Sequence, residues 1–137
     1  MTKDIIFFEK FNDNISVNVN LSNYSWFNLG GKAEYFYKAN DRDQLIEFLR
    51  EARKNNLKIT ILGAGSNTLF RDKGVKGVTI KLGSNFSYIK LIEKNIIETG
   101  AATFDRKVAD FAKEKILKNF EFLSCIPGSI GGAVVMN

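Results

Sequence analysis

From residue 42 to 54 the apolar side chains Leu45, Phe48, Leu49 and Ala52 recur at i, i+3, i+4 and i+7. That spacing gathers them on one side of an α-helix and turns Arg42, Glu47, Arg50 and Lys54 to water. Asn40 or Asp41 stands where an N-cap is needed, and Asn55-Asn56 closes the pattern. A second helix is predicted from about Phe104 to Leu117, with Val108, Phe111, Ala112 and Ile116 on its apolar face and Thr103 as its cap. Shorter runs rich in β-branched and aromatic residues read as strands: Ala33 to Lys38, Lys58 to Leu62, Gly77 to Leu82, Phe86 to Ile92 and Asn95 to Glu98. Lys94-Asn95 suggests a hairpin between the last two. The first strand, the first helix and the second strand make a βαβ unit, but the short strands that follow argue against a uniform doubly wound sheet. Asn12 to Tyr24 reads as a polar lead-in, and the paired Gly30-Gly31 as a turn. An amino-terminal extension over 1–22 and an ordered domain over 23–137 are expected.

Composition narrows the chemistry that this frame can carry. The 137 residues, 45% of them apolar, suffice for one compact domain with its own core. There is no His and a single cysteine, Cys125, so an intramolecular disulfide, a zinc site and any His-based catalytic triad are excluded. Cys125 reads as a small buried hydrophobe. Lys and Arg number 20 against 15 Asp and Glu, a net charge of +5 spread along the chain. Dispersed charge argues against nucleic acid and suits either a solubilised surface or a small phosphate-bearing partner. Phe7, Phe8, Phe11, Tyr24, Trp26, Phe27, Tyr35, Phe36 and Tyr37 interleave with Lys and Asn, as base-stacking residues do. Their strand context points to core instead. Charges break the apolar residues near the start, and no run reaches membrane length. A cytoplasmic location with no membrane contact is expected.

Two glycine-rich segments carry the candidate chemistry. Gly63-Ala64-Gly65-Ser66-Asn67 directly follows a predicted strand. Glycines at 63 and 65 let the backbone turn tightly and aim successive N–H groups at an anion, with the Ser66 hydroxyl and Asn67 amide as further donors. The alternative is an ordinary turn. The segment is neither a Walker loop, lacking Gly-Lys-Ser/Thr, nor a Rossmann fingerprint, lacking the third glycine at a helix start. About sixty residues on, Pro127 fixes the entry to a second turn, in which Gly128, Gly131 and Gly132 clear side chains from the backbone. Two such loops can grip a dinucleotide from both sides; the alternative is a close helix-to-strand crossing. Gly100-Ala101-Ala102 is a third small-residue stretch at a strand end, equally readable as a tight turn into the second helix. Arg71 and Asp72 read as solvated loop charges.

Taken in order, Trp26-Phe27-Asn28-Leu29-Gly30-Gly31, Leu62-Gly63-Ala64-Gly65-Ser66-Asn67, Gly100-Ala101-Ala102 and Ile126-Pro127-Gly128-Ser129-Ile130-Gly131-Gly132-Ala133 resemble the motif series of UDP-N-acetylenolpyruvoylglucosamine reductases, the MurB family. Family members carry a glycine where Ala64 stands. A single methyl group is expected to leave the turn intact. The resemblance implies an FAD-binding domain of the vanillyl-alcohol-oxidase (PCMH) type, in which a βαβ-containing subdomain and part of a second α+β subdomain clasp the cofactor. It implies that Gly63, Ala64, Gly65, Ser66 and Asn67 contact the FAD diphosphate, and that Ile126, Gly128, Ser129, Gly131 and Gly132 line the cofactor from the other side.

The family's reaction is the reduction of UDP-N-acetylglucosamine enolpyruvate to UDP-N-acetylmuramate for peptidoglycan. NADPH is the reductant and FAD the hydride relay. Its catalytic Ser, Arg and Glu are expected beyond Asn137, so no residue here takes a catalytic role and no metal ligand is assigned. An incomplete, catalytically inactive chain, monomeric and poorly soluble by itself, is expected. Two other readings remain: a non-catalytic nucleotide- or protein-binding module, and another flavin oxidoreductase of the same fold. Members of the latter class that attach FAD through His are disfavoured by the absence of His.

Overall fold

A computed structural model describes residues 9–136, so the aromatic positions Phe7 and Phe8 lie outside the described residues. Its named strands and α-helices follow in the order β1 (Ile15–Asn20), β2 (Lys32–Ala39), α1 (Arg42–Lys54), β3 (Ile59–Leu62), β4 (Val75–Leu82), β5 (Ile89–Glu93), β6 (Ile96–Thr99), α2 (Asp105–Glu114) and α3 (Ile130–Met136). The first four strands form one sheet in the order β1-β2-β4-β3. Strand β1 runs antiparallel to β2, whereas β2 and β3 both run parallel to β4. The β2-α1-β3 crossover therefore spans a gap that β4 later fills, an arrangement adjacency in sequence does not reveal. Strands β5 and β6 make a separate antiparallel hairpin through the Lys94-Asn95 turn.

Helix α1 forms where its periodicity placed it. The Asp41 carboxylate caps it by accepting the Gln44 N–H at 2.8 Å. Asn56, in the left-handed region at φ 52°, ends it as Leu57 N–H returns to the Ala52 carbonyl. Phe48 and Ala52 are fully buried against Tyr37, Ala39, Val78 and Ile80 on one face of the sheet. The Phe48 ring stacks on Tyr37 with centroids 4.0 Å apart and planes 8° apart, while Phe11 meets Phe48 edge-on at 5.1 Å. Leu49 corrects the expected stripe: it is 38% exposed, because the sheet reaches only the narrower Phe48–Ala52 line and half-covers Leu45. On the opposite face Leu21, Ala33, Phe36, Leu62 and Phe70 form a second core. An irregularity in the β2–β4 register between Ala33 and Tyr35 lets Ala33 share that face with Phe36.

The lead-in over Asn12–Tyr24 is not a passive extension. Ile15-Ser16-Val17-Asn18-Val19-Asn20 pairs with β2 from Ile15↔Tyr37 to Asn20↔Lys32, and Phe11 and Leu21 enter the two cores. Ile15 packs with the core on the α1 face and Val19 with the opposite one, on either side of Asn18 at φ 57°, while Val17 is 60% exposed. Helix α2 also departs from expectation. Its N-cap is Phe104, and the Thr103 hydroxyl donates to the Tyr88 carbonyl at 3.1 Å instead of capping. Its buried face is Val108, Ala109 and Ala112, with Leu123 completing a third core beside Ile89, Ile97, Phe120 and Ile130. Ile116 lies beyond the helix end, in the left-handed region at φ 57° and 87% exposed. Cys125 is exposed as well, because the short 3-10 turn Glu121–Cys125 commits only Leu123 to the core.

Candidate functional site

The parallel strands β2, β3 and β4 point their carboxyl ends the same way, at Ala39, Leu62 and Leu82. Ligands of such sheets bind outside that edge. Gly63-Ala64-Gly65-Ser66-Asn67 leaves β3 there and turns back. Gly65 adopts φ 76°, and a Cβ on it would overlap the Tyr24 carbonyl oxygen. The loop is thus pressed against the segment Tyr24–Trp26, and the Trp26 N–H donates to the Gly65 carbonyl at 3.1 Å. Ser25, buried, adds a hydroxyl bond to the Thr68 carbonyl at 2.7 Å. Among the described residues no acceptor is bonded to the N–H of Ala64, Gly65, Ser66 or Asn67. Four successive amides without a protein acceptor are donors left available for a ligand.

The second segment is built differently: only Pro127–Ser129 turn, and Gly131 and Gly132, expected in the same turn, lie in the first turn of α3. Its Gly131 N–H donates to the Ala101 carbonyl and its Ile130 N–H to the Thr103 carbonyl, both at 2.9 Å, while Gly128 accepts from the Asp105 N–H at 3.2 Å. A Cβ on Gly131 would stand 2.9 Å from the Ala101 oxygen, so that glycine serves close packing against Gly100–Thr103. The Gly100-Ala101-Ala102 stretch is accordingly the tight turn into α2 and the bed of this loop. Ser129, buried, brings the two loops together: its Oγ lies 3.3 Å from where a Gly63 Cβ would be, and 3.4 Å from that of Gly132. Ile126 is partly exposed at the loop's outer edge. The ten candidate positions therefore fall in two segments that meet at Gly63 and Ser129.

Beneath Gly128 lies Asp105, fully buried, with neither carboxylate oxygen hydrogen-bonded. Burial holds its carboxyl above 3.8, its ordinary value. In the unfolded chain the group ionises first, so its contribution to stability is intact below 3.8 and is lost as pH rises above it. Asp105→Asn removes that loss. Asn carries no charge to bury, so we expect the variant to melt above the parent at pH 7. The gain should shrink to nothing as melts are repeated down to pH 3, and a gain independent of pH would refute the assignment.

A cleft of about 380 Å³ opens beside the first loop, lined by Asn23, Tyr24, Ser25, Trp26, Asn28, Ala64 and Lys81. Of these only Ala64 was picked out as a ligand contact from sequence. Lys81 sits at the end of β4, in register with Lys38 of β2 and Leu62 of β3, and its Nζ donates to the Gly63 carbonyl at 2.6 Å. Burial, and then the Lys38 charge, hold its ammonium below 10.5, its ordinary value. A lysine ending an apolar strand gives no signal in sequence that it will reach a glycine eighteen positions earlier. Trp26 in the cleft wall is 59% exposed, while Arg71 and Asp72 are exposed loop residues as read. Among the described residues no group of three or more His, Cys, Asp or Glu could hold a metal, and no helix is long and apolar enough to cross a membrane.

A sheet-edge loop of unbonded amides thus meets a glycine-rich segment from a second α+β unit, and comparison with known proteins defines the class of flavoprotein fold. The chain belongs to the FAD binding domain family, whose profile matches residues 33–137. It is 44% identical over 132 residues to the UDP-N-acetylenolpyruvoylglucosamine reductase of Pelagibacter ubique, covering 93% of this chain and 43% of that protein. It is 45% identical over 136 residues to the reductase of the same name from Orientia tsutsugamushi strain Ikeda, covering 97% and 45%. Among solved structures, UDP-N-acetylenolpyruvylglucosamine reductase (MurB) from Thermus caldophilus superposes with a TM-score of 0.66 at 28% identity, over 88% of this chain and 40% of that one. p-Cresol methylhydroxylase shares the fold, with a TM-score of 0.54 at 15% identity over 81% and 24%. The α+β fold is thus of the PCMH type, and the chain spans less than half the length of the curated relatives it matches.

Proposed function

We propose that this chain supplies the FAD-binding part of an NADPH-using reductase that converts UDP-N-acetylglucosamine enolpyruvate to UDP-N-acetylmuramate in cytoplasmic peptidoglycan biosynthesis, and that it acts as a monomer. The observation that carries this reading is the row of amides at 64–67 without a protein acceptor, set at the carboxyl edge of the parallel strands. In this reading Gly63, Ala64, Gly65, Ser66 and Asn67 hold the FAD diphosphate. The small backbone at 63 and 65 allows close approach, and the Ser66 and Asn67 side chains add donors. Ile126, Gly128, Ser129, Gly131 and Gly132 line the cofactor from the second unit. Ser129 Oγ is the point at which the two walls touch. Bound FAD supplies the hydride relay between nicotinamide and the enol ether. The similarity to proteins named as reductases of the enolpyruvyl nucleotide supports the choice of substrate.

Titration of the purified chain with FAD tests this directly. Saturable quenching of flavin fluorescence, with a shift in the visible absorbance bands, is expected. A folded, monodisperse protein that leaves both spectra of FAD unchanged would sink the reading. Addition of UDP-N-acetylglucosamine enolpyruvate to the FAD complex should perturb the flavin spectrum further if the substrate assignment is right.

A further inference from the structure

Among the described residues Lys81 is the one cation lining the cleft beside the loop of unbonded amides. An ordinary solubilising lysine extends into water. Lys81 instead is half-buried and reaches along the strand end to the Gly63 carbonyl at 2.6 Å. One of its three N–H donors is used there, which leaves two for the cleft. No carboxylate forms an ion pair with it among the described residues, and the charge beside it on β2 is another lysine, Lys38. Two adjacent cations with no counter-charge, one of them desolvated, are unfavourable until an anion arrives. Lys81 also holds the residue just before the amide row, and it shares the cleft with Ala64, the first residue of that row.

We infer that Lys81 is a binding residue for a nucleotide phosphate, its ammonium supplying the positive charge that the neutral amides of Ala64–Asn67 lack while its bond to the Gly63 carbonyl fixes the loop's orientation. This rests on the proposed site. It adds to that site a charged residue that none of the glycine motifs contains. The chemistry recognised is a phosphate ester, which either a flavin dinucleotide or a uridine nucleotide could bring. Lys38, exposed at the same strand ends, adds long-range attraction without a fixed contact.

The test compares the parent chain with Lys81→Gln and Lys81→Arg, each first checked for folding by thermal melting. Gln keeps a donor without charge, and Arg keeps the charge. FAD, riboflavin and UDP are titrated separately at low and high salt. Because hydrogen bonds to charged groups are among the stronger ones, Lys81→Gln should weaken binding of FAD about 10–100-fold. Riboflavin, which carries no phosphate, should bind Lys81→Gln as it binds the parent, and Lys81→Arg should recover most of the FAD affinity. The salt dependence of FAD binding should be flatter in Lys81→Gln than in the parent. If UDP and not FAD responds to the substitutions, the phosphate recognised is that of the uridine nucleotide, and Lys81 keeps its role. Equal loss of FAD and riboflavin would show that Lys81 only props the loop, and unchanged affinity for both FAD and UDP would remove it from the site; either overturns the inference. A parent chain that binds UDP through Lys81 but no flavin would overturn the flavin reading and leave this one standing. A parent chain that binds neither overturns both.

Discussion

Gly65→Val is expected to abolish flavin binding and to destabilise the fold by roughly 2–6 kcal/mol, the sum of left-handed strain and overpacking. Two independent features of the loop lead there. Residue 65 sits at φ 76°, a conformation that a β-branched side chain strongly resists. Its missing Cβ is also the space occupied by the Tyr24 carbonyl, so any side chain pushes the 63–67 loop off the Tyr24–Trp26 segment. The Trp26-to-Gly65 hydrogen bond would break, and the loop carrying the amides of 64–67 would shift. Gly63→Ala provides the contrast. Its Cβ would meet only the Ser129 hydroxyl at 3.3 Å, a contact that a rotating side chain relieves. Melting temperature and FAD titration should therefore both fall sharply for Gly65→Val and only slightly for Gly63→Ala. Equal retention of FAD by the two variants would move the diphosphate elsewhere.

Phe48→Ala should cost about 3–5 kcal/mol, the range for removing a buried aromatic ring. The ring is fully buried, lies flat on Tyr37 and receives the edge of Phe11. Removing it would strip the sheet of its main contact with α1 and leave Tyr37, whose hydroxyl already lacks a partner, beside a void. Phe48→Leu retains most of the apolar volume and should lose much less. Urea denaturation of the two variants against the parent measures both values. A Phe48→Ala midpoint equal to the parent's would show that α1 is not what covers this face.

Legibility followed the range of the interactions involved. Helix α1 could be read because its period, its Asp41 cap and its Asn55-Asn56 stop are all local, and the Lys94-Asn95 hairpin for the same reason. Strand β1 was passed over because an edge strand of six residues with Asn at two of them looks like loop until β2 is placed beside it. The sequence pattern assigned Leu49 and Ile116 to buried faces; how far the sheet extends beneath α1, and where α2 stops, left them exposed. Of the site, the glycine segments were legible because the residues that permit unusual backbone are few. Asp105 and Lys81 were not, because what matters about them is which distant groups they meet or fail to meet.

The amino-acid order alone determined helix α1, the Lys94-Asn95 hairpin, the glycine turn after β3, and the lack of an intramolecular disulfide or of histidine chemistry. All of these depend on residue type and near neighbours. Only the tertiary structure decided that β4 inserts between β2 and β3, that the amides at 64–67 have no protein acceptor while those at 130 and 131 are already used, and that Lys81 closes on Gly63. Each of those is a pairing between segments far apart in the chain. Such pairings are selected by which surfaces can be buried and which polar groups can be satisfied together, a competition that no local stretch of sequence contains.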